Sequence, residues 1–501
     1  MTVPLLIRGA YIHPGGDGEV LPDGCLLAVD GRIAYVGPST DADRLLAALP
    51  TAERQRTLEV DGRAFLVLPG FVNAHWHDLF ALRFPFNGAL RPASDRADLP
   101  GFLARGGDLY TVCRIFDGFH DVVGALEPAE ALAIARYSLW TQLRAGVTTI
   151  ADAGSVNRPD ALAEAAAGLG MRLMLGTWTT DAVCVPTEVQ PQRTRDTDEV
   201  LAELEVTLKR CTGDDSGLLR GRVAPVYPIT MTDELGRGLA ELADRFDVPV
   251  ATHVGAQRNE AEFTARHFGI TPVRRLAALG LLNPRLMAIH CAFADAQERR
   301  LLREAEVHIN HSPAKYGAAG ESALTETRLI PELRRAGMDV SLSTDGAPLS
   351  FAGMPEAMRA AWQMHNELYA DPTVVRPSDA LAMATSIAAR GLGWDDEIGA
   401  LTPGSRADLV LIRRDDWRYT LNPRPLEVFL SIGGSADVDT VVVGGRVLID
   451  GGRGVTADEE RLRADYIEAV AEFAIRRHAA DPDRVRAAVA ADARVRETVR
   501  S

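Results

Sequence analysis

Residues 64–77 read AFLVLPGFVNAHWH, a nearly continuous apolar run that ends in two histidines one residue apart. Runs of this kind are typical of strands buried on both faces, as in a parallel sheet covered by helices. His75 and His77 stand at i and i+2, so in a strand both side chains leave from the same face. Seven more stretches of similar character follow: GVTTIADAG (146–154), MRLMLGTWTT (171–180), RVAPVYPIT (222–230), VPVATHVGA (248–256), RLMAIHCAF (285–293), EVHINHSPA (306–314) and MDVSLSTDG (338–346). Between them lie Ala-, Leu-, Glu- and Arg-rich segments of helical period, such as EPAEALAIARYSLWTQLRAG (127–146) and TDELGRGLAELADRF (232–246), the latter with Thr232 or Asp233 as N-cap. Eight βα units over roughly 300 residues predict an α/β fold, a closed (β/α)8 TIM-like barrel. An open doubly wound sheet is the alternative.

The two ends of the chain have a different texture. LLIRGAYI (5–12) and CLLAVDGRIAYVG (25–37) read as short strands, with Asp30-Gly31 as a hairpin turn; ADLVLIRR (407–414) and DTVVVGGRVLIDGG (439–452) repeat the style. This predicts a small composite β-sandwich from residues 1–66 plus 398–456, a barrel domain over 67–397 and a C-terminal helical extension over 457–501. The insertion at about 78–127 leaves the carboxyl end of the first barrel strand, where loops build the active site of such a fold.

Composition narrows the function. The 501 residues are 47% hydrophobic with a net charge of −15 and no Lys/Arg block, which argues against nucleic acid or an anionic membrane as partner and for a small-molecule substrate. No segment has the basic and apolar regions of a signal peptide or the length of a membrane span, so a cytoplasmic protein is expected. The five cysteines are scattered without a CxxC pair, as in a reducing compartment. Only Lys209 and Lys315 supply lysine.

The remaining strand ends carry chemistry. His253 ends the fifth strand, His290 the sixth and His311 the seventh, and Asp345 follows the eighth. Five of the 11 histidines therefore fall at carboxyl ends of strands. Neutral imidazoles converging in this way suit a divalent metal.

The order PGFVNAHWH, GVTTIADAG, ATHVGA, AIHCAFAD, INHSPA, STDGAP and DDEIGALTPGSRADLVLI resembles the amidohydrolase superfamily, in the branch of methylthioadenosine/S-adenosylhomocysteine deaminases, guanine and cytosine deaminases and triazine hydrolases. The resemblance spans nearly the whole chain. It implies one metal held by His75, His77, His253 and Asp345, with His290 contacting the water that the metal activates. Binuclear members carry a carboxylated lysine at the end of the fourth strand, and RVAPVYPIT has none. With such ligands zinc is the default, with Fe(II) or Mn(II) as alternatives. A divalent ion lowers the pKa of its water from 15.7 to about 7, and His290 and Asp345 are the candidates to accept or hold its proton. The resemblance also implies a metal-dependent hydrolase of a non-peptide C–N bond in a small, heterocyclic compound, and a homodimer or larger assembly. Displacement of halide or alkylamine from a heteroaromatic ring is an alternative, as is a catalytically silent metal- and ligand-binding barrel.

Two departures stand out. The branch reads H-x-x-E at the fifth strand, where the Glu moves protons to the ring nitrogen and leaving amine; this chain reads HVGAQ, with Ala256 at that position. The segment after Asp345, APLSF, lacks the Ser-Asn pair common in the family. For the pocket, Trp76, Arg83, Trp178, His311 and Lys315 are the candidate substrate contacts, with Phe84, Phe86, Asn87, Arg91, Asp152, Thr180 and Asp181 near them in sequence.

Overall fold

The computed structural model describes residues 2–16, 18–83, 109–346 and 353–500. The N-terminal strands are β1 (Leu5–Ile12), β2 (Leu21–Val29), β3 (Arg32–Pro38), β4 (Leu58–Asp61) and β5 (Phe65–Pro69). Asp30 and Gly31 join β2 to β3 with φ of 49° and 78°, the left-handed pair that a tight two-residue hairpin requires.

The stretch AFLVLPGFVNAH does not run as one strand. It divides at Gly70 into β5 and β6 (Phe71–Trp76), because the chain there passes so close to Thr148 that any Cβ at residue 70 would strike that side chain. β6 opens a parallel sheet with β7 (Val147–Asp152) and β8 (Arg172–Leu175). A two-residue ribbon, β9 (Ala182–Val183) with β10 (Gln192–Arg193), follows, and β11 (Leu219–Gly221) completes the order β11-β8-β7-β6. This fourth strand begins earlier than RVAPVYPIT predicts. Beyond Gly221 only single pairings persist, Val223 with Val250 and Pro225 with Thr179, since Pro225 and Pro228 have no N–H to give a ladder.

The second parallel sheet runs β12 (Val250–Val254), β13 (Leu286–His290), β14 (His308–His311), β15 (Val340–Leu342) in order. Backbone bonds join it to the first sheet at both edges: Ala251 N–H donates to Val223 O at 2.9 Å, and Asp345 N–H donates to His75 O at 3.1 Å. Between strands lie helices such as Asp233–Phe246, capped by Thr232 through Leu235 N–H. Val72, Ala74, Ala151, Met174, Ala251, Met287 and Ile289 form an apolar cluster with Ala388, Leu392 and Trp394.

The chain then returns to its beginning. β16 (Leu409–Arg413) pairs antiparallel with β5 and is followed by β17 (Val438–Val443), β18 (Arg446–Asp450) and β19 (Arg453–Gly454). Strands from both chain ends thus share one nine-stranded sheet, β19-β18-β17-β16-β5-β1-β2-β3 with β4 on β1. Arg172 of β8 reaches Asp408, just before β16, in a buried two-point ion pair (2.6 and 3.0 Å) that ties the parallel strands to this sheet. Two helices, Glu459–His478 and Pro482–Arg500, end the chain. The first packs on Pro128–Arg144, and Tyr466 donates to Phe80 O at 3.0 Å. Among the described residues no helix is long and apolar enough to cross a membrane.

Candidate metal centre

Five buried side chains converge from four strand ends: His75 and His77 at the end of β6, His253 in β12, His290 closing β13, and Asp345 three residues past β15. His77 Nε2 lies 3.1 Å from His75 Nε2 and 3.2 Å from His253 Nε2. Asp345 Oδ1 stands 3.5 and 3.7 Å from Nε2 of His75 and His77, and its Oδ2 is 3.6 Å from Nε2 of His290.

Tautomers follow from the other ring nitrogens. His77 Nδ1–H donates to Gly154 O at 2.6 Å and His253 Nδ1–H to Val226 O at 2.7 Å. A carbonyl only accepts, so each neutral ring keeps its proton on Nδ1. Burial pushes all three rings down, His75 and His253 well below the usual imidazole range, so the rings are neutral. Nε2 of His77 and His253 are therefore two bare lone pairs 3.2 Å apart, an arrangement that repels unless a cation sits between them. Three imidazole nitrogens and a carboxylate oxygen are the donor chemistry of a divalent metal. The candidate ligand atoms fall within 4.8 Å of one another in two overlapping groups, His75-His253-His290 and His75-His77-Asp345.

Burial alone would raise the Asp345 carboxyl, but the Lys315 ammonium 2.9 Å away holds it well below the usual carboxylate range. Burial likewise pushes His290 down to about 3. Asp345 (φ 57°), His290 (φ 76°) and Cys291 (φ 53°) all adopt left-handed backbone. Such conformations cost of order 1–3 kcal/mol each in non-glycine residues and cluster at functional sites.

A sequence profile of the amidohydrolase family matches residues 66–448, which includes all five of these side chains. The chain belongs to the amidohydrolase family. It is 31% identical over 464 residues to a 5-methylthioadenosine/S-adenosylhomocysteine deaminase of Symbiobacterium thermophilum, covering 89% of this chain and 93% of that one. Among solved structures it is similar to the triazine hydrolase of Arthrobacter aurescens (TM-score 0.77, 25% identity, 93% of this chain and 99% of the other). An adenosine deaminase of Xanthomonas campestris with bound zinc shares the fold (TM-score 0.74, 24% identity, 94% and 98%).

Around this amidohydrolase centre the other predicted residues divide. Trp178 is adjacent, its ring edge-on to His77 with centroids 5.6 Å apart and its Nε1–H donating to Phe116 O at 2.8 Å. Lys315 bridges Asp345 and Glu321 (2.9 and 3.3 Å). His311 lies one layer out, paired with His365 through their Nε2 atoms at 3.0 Å. Trp76 and Arg83 make other contacts. Between two inward histidines, strand alternation turns Trp76 away, and it packs in the main apolar core; the Arg83 guanidinium lies 3.3 Å over the Phe80 ring. Asp181 ties loops together by accepting from Thr232 and Thr197, and Thr180 donates to Thr230 O. Phe84, Phe86, Asn87, Arg91 and the segment APLSF lie outside the described residues. Lys209 is exposed and pairs with Glu205.

Ala256 sits in an apolar cluster with Trp178, Val226 and Tyr227. Glu260, near it in sequence, turns back to accept from Gly255 and Ala256 N–H at 3.0 and 2.9 Å, so its carboxyl serves its own loop. The sequence reading missed Tyr227, whose ring stacks on His253 at 5.0 Å, and Tyr316, whose phenol meets His290 Nδ1. Tyr227 closes the apolar part of RVAPVYPIT and Tyr316 follows Lys315 directly, so both were within reach of a strand-end search that included tyrosine.

Asp152 accepts from Ser155 and has Arg222 and Asp78 as its charged neighbours. Burial raises it to about 7, against about 3.9 in an unfolded chain. Between those pH values the native state binds the extra proton, so stability falls as pH rises through this window. Asp152→Asn is expected to leave stability at pH 4 nearly unchanged and to raise it by about 2–4 kcal/mol at pH 8. Urea unfolding at the two pH values checks this; equal effects at both would sink it.

Proposed function

We propose that this amidohydrolase is a mononuclear metal-dependent enzyme that hydrolyses a non-peptide C–N bond of a small nitrogen heterocycle. The observation that carries the reading is the pair of bare Nε2 lone pairs on His77 and His253, 3.2 Å apart and joined by His75 and Asp345. These four residues would hold the metal, with zinc the first choice for this donor set. A divalent ion bound there supplies ionised water near neutral pH. His290 accepts the proton of the attacking water at Nε2, and Asp345 holds the water in line. Lys315 keeps Asp345 ionised, and Trp178 offers an aromatic wall beside His77.

In this reading the two parallel sheets close into one eight-stranded barrel, supported by the Ala251–Val223 and Asp345–His75 backbone bonds at their two seams. The nine-stranded sheet folds over as the small β-sandwich, supported by the apolar cluster that Ile7, Leu26, Leu409 and Val442 share.

A second reading, displacement of a leaving group better than ammonia, is favoured by Ala256: at the position of the family Glu stands a methyl group in an apolar cluster, which cannot protonate an amine. The experiment that separates them loads the protein with Zn, Fe(II) or Mn(II), beside a chelated control. Each form is assayed for ammonia and for substrate mass on 5'-methylthioadenosine, S-adenosylhomocysteine, adenosine, guanine, cytosine, atrazine and cyclic amides. Metal-dependent ammonia release is the expected result. Loss of chloride or alkylamine from atrazine without ammonia selects the second reading, ring opening of a cyclic amide by gain of one water stays with the first, and silence of every metal form across the panel overturns both in favour of a binding scaffold.

A further inference from the structure

Two residues of β6, Ala74 and His75, stand opposite a single residue of β7, Ala151, because the pairing passes from Asn73–Ile150 directly to Trp76–Asp152. An extra residue of this kind disrupts the ladder locally and re-aims a side chain, and it is common beside active sites. Here one of the two residues at the shift is His75. The same interval receives a fully buried arginine. Arg222, the first residue past β11, is 1% exposed. Its guanidinium donates through Nε to Asp152 O (2.8 Å), through Nη2 to Ala151 O (2.9 Å) and through Nη1 to Ala74 O (3.3 Å). All three acceptors are backbone carbonyls of β6 and β7 at the register shift, and none is a carboxylate. Burial lowers Arg222 only to about 10, so it keeps its charge at neutral pH. A buried charge with no hydrogen-bonded counter-ion is a poor source of stability. Arg172, equally buried, has its two-point pair with Asp408.

We infer that Arg222 is a positioning residue for His75: its planar fork pins carbonyls on both strands at the register shift and so sets the direction in which the His75 side chain leaves β6. The next carbonyl along β6 is held as well, since Asp345 N–H donates to His75 O at 3.1 Å. Successive carbonyls, Ala74 O and His75 O, are thus gripped by Arg222 and by a residue of the centre itself. The geometry selects arginine, because a fork of five N–H groups can serve carbonyls of two strands at once, whereas a lysine ammonium is a single point. The inference rests on the proposed reading of His75 as a metal ligand, and it extends the site to a residue that does not touch the metal.

The test is zinc affinity, read by competition with a chromophoric chelator, on the full-length parent, Arg222→Met, Arg222→Lys and Arg172→Met. Arg222→Met is expected to bind zinc about 10- to 100-fold more weakly, the scale on which an outer partner of a ligand acts. The visible absorption of its Co(II)-loaded form changes too, because His75 no longer keeps its place among the ligands. Arg222→Lys keeps the charge without the fork and stays weaker than the parent; should Arg222→Met fail to fold, this variant carries the comparison. Arg172→Met removes an equally buried arginine that ties β8 to the strand-rich ends of the chain. It lowers the urea midpoint and leaves zinc affinity at the parent value. Parent affinity in Arg222→Met or in Arg222→Lys overturns the inference, as does an equal loss in Arg172→Met. Tighter zinc binding in Arg222→Met also overturns it, since the guanidinium would then act on the metal only as a repelling charge. A parent protein that takes up neither zinc nor Co(II) overturns the metal reading itself, and the inference with it.

Discussion

Asp345→Ala is expected to abolish measurable turnover and to empty the metal centre. The carboxylate faces four groups at once: Nε2 of His75, His77 and His290 at 3.5–3.7 Å and the Lys315 ammonium at 2.9 Å. Its removal takes away the proposed anionic ligand of the metal and the group proposed to hold the attacking water. Loss of a positioned proton-handling group alone is worth about 10²–10⁴-fold, and loss of metal affinity adds to this. Stability falls too. Lys315 is left with Glu321 at 3.3 Å as its one carboxylate partner among the described residues, and breaking a buried pair from one side costs about 3–5 kcal/mol. Metal analysis after dialysis, turnover on any panel substrate and urea unfolding check the three parts. A variant that keeps stoichiometric metal would show that Asp345 is not a ligand, whatever its activity.

Ala256→Glu, which puts back the residue that the deaminase branch carries, is expected to destabilise the protein in a pH-dependent way. The new carboxyl would enter the cluster of Trp178, Val226 and Tyr227, where an ion is penalised by several kcal/mol and the pKa rises by up to 3–5 units. Its folded pKa would lie above the value of about 4.3 in the unfolded chain. The native state then holds the extra proton, so little is lost below pH 4 and the loss grows as pH rises through the folded pKa. A deficit of about 4 kcal/mol at pH 8 is expected, nearly absent at pH 4. Urea midpoints at the two values decide it. A deficit of the same size at both pH values would point to steric overpacking instead of charge.

Much of this was legible from residues alone. The alternation of apolar runs with helical period located seven of the eight parallel strands and placed the fourth a few residues late, and the i, i+2 spacing of His75 and His77 put two donors on one face. Asp30-Gly31 and Thr232 marked a hairpin and a helix start because their chemistry is local: a left-handed pair of dihedrals, a hydroxyl reaching an orphan N–H. The same alternation rule that brings its neighbours inward carries Trp76 into the main apolar core. The break at Gly70 was hidden because the reason for it, the side chain of Thr148, comes from a strand 78 residues further on. That the Arg83 guanidinium lies over the Phe80 ring was equally hidden, because the spacing of the two residues does not fix their side-chain directions.

What the sequence by itself determined is therefore the periodicity of the elements and the kinds of donor at their ends, since both depend on neighbours within a few residues. What only the tertiary structure decided is distance and direction between groups far apart in the chain. That His77 and His253 aim bare nitrogens at one another depends on two backbone carbonyls, Gly154 O and Val226 O, contributed by other strand ends. That Ala256 lies among aromatic rings, and that Tyr316 meets His290, depends on how helices and strands pack side by side. Those contacts are set by long-range burial, which no local pattern records.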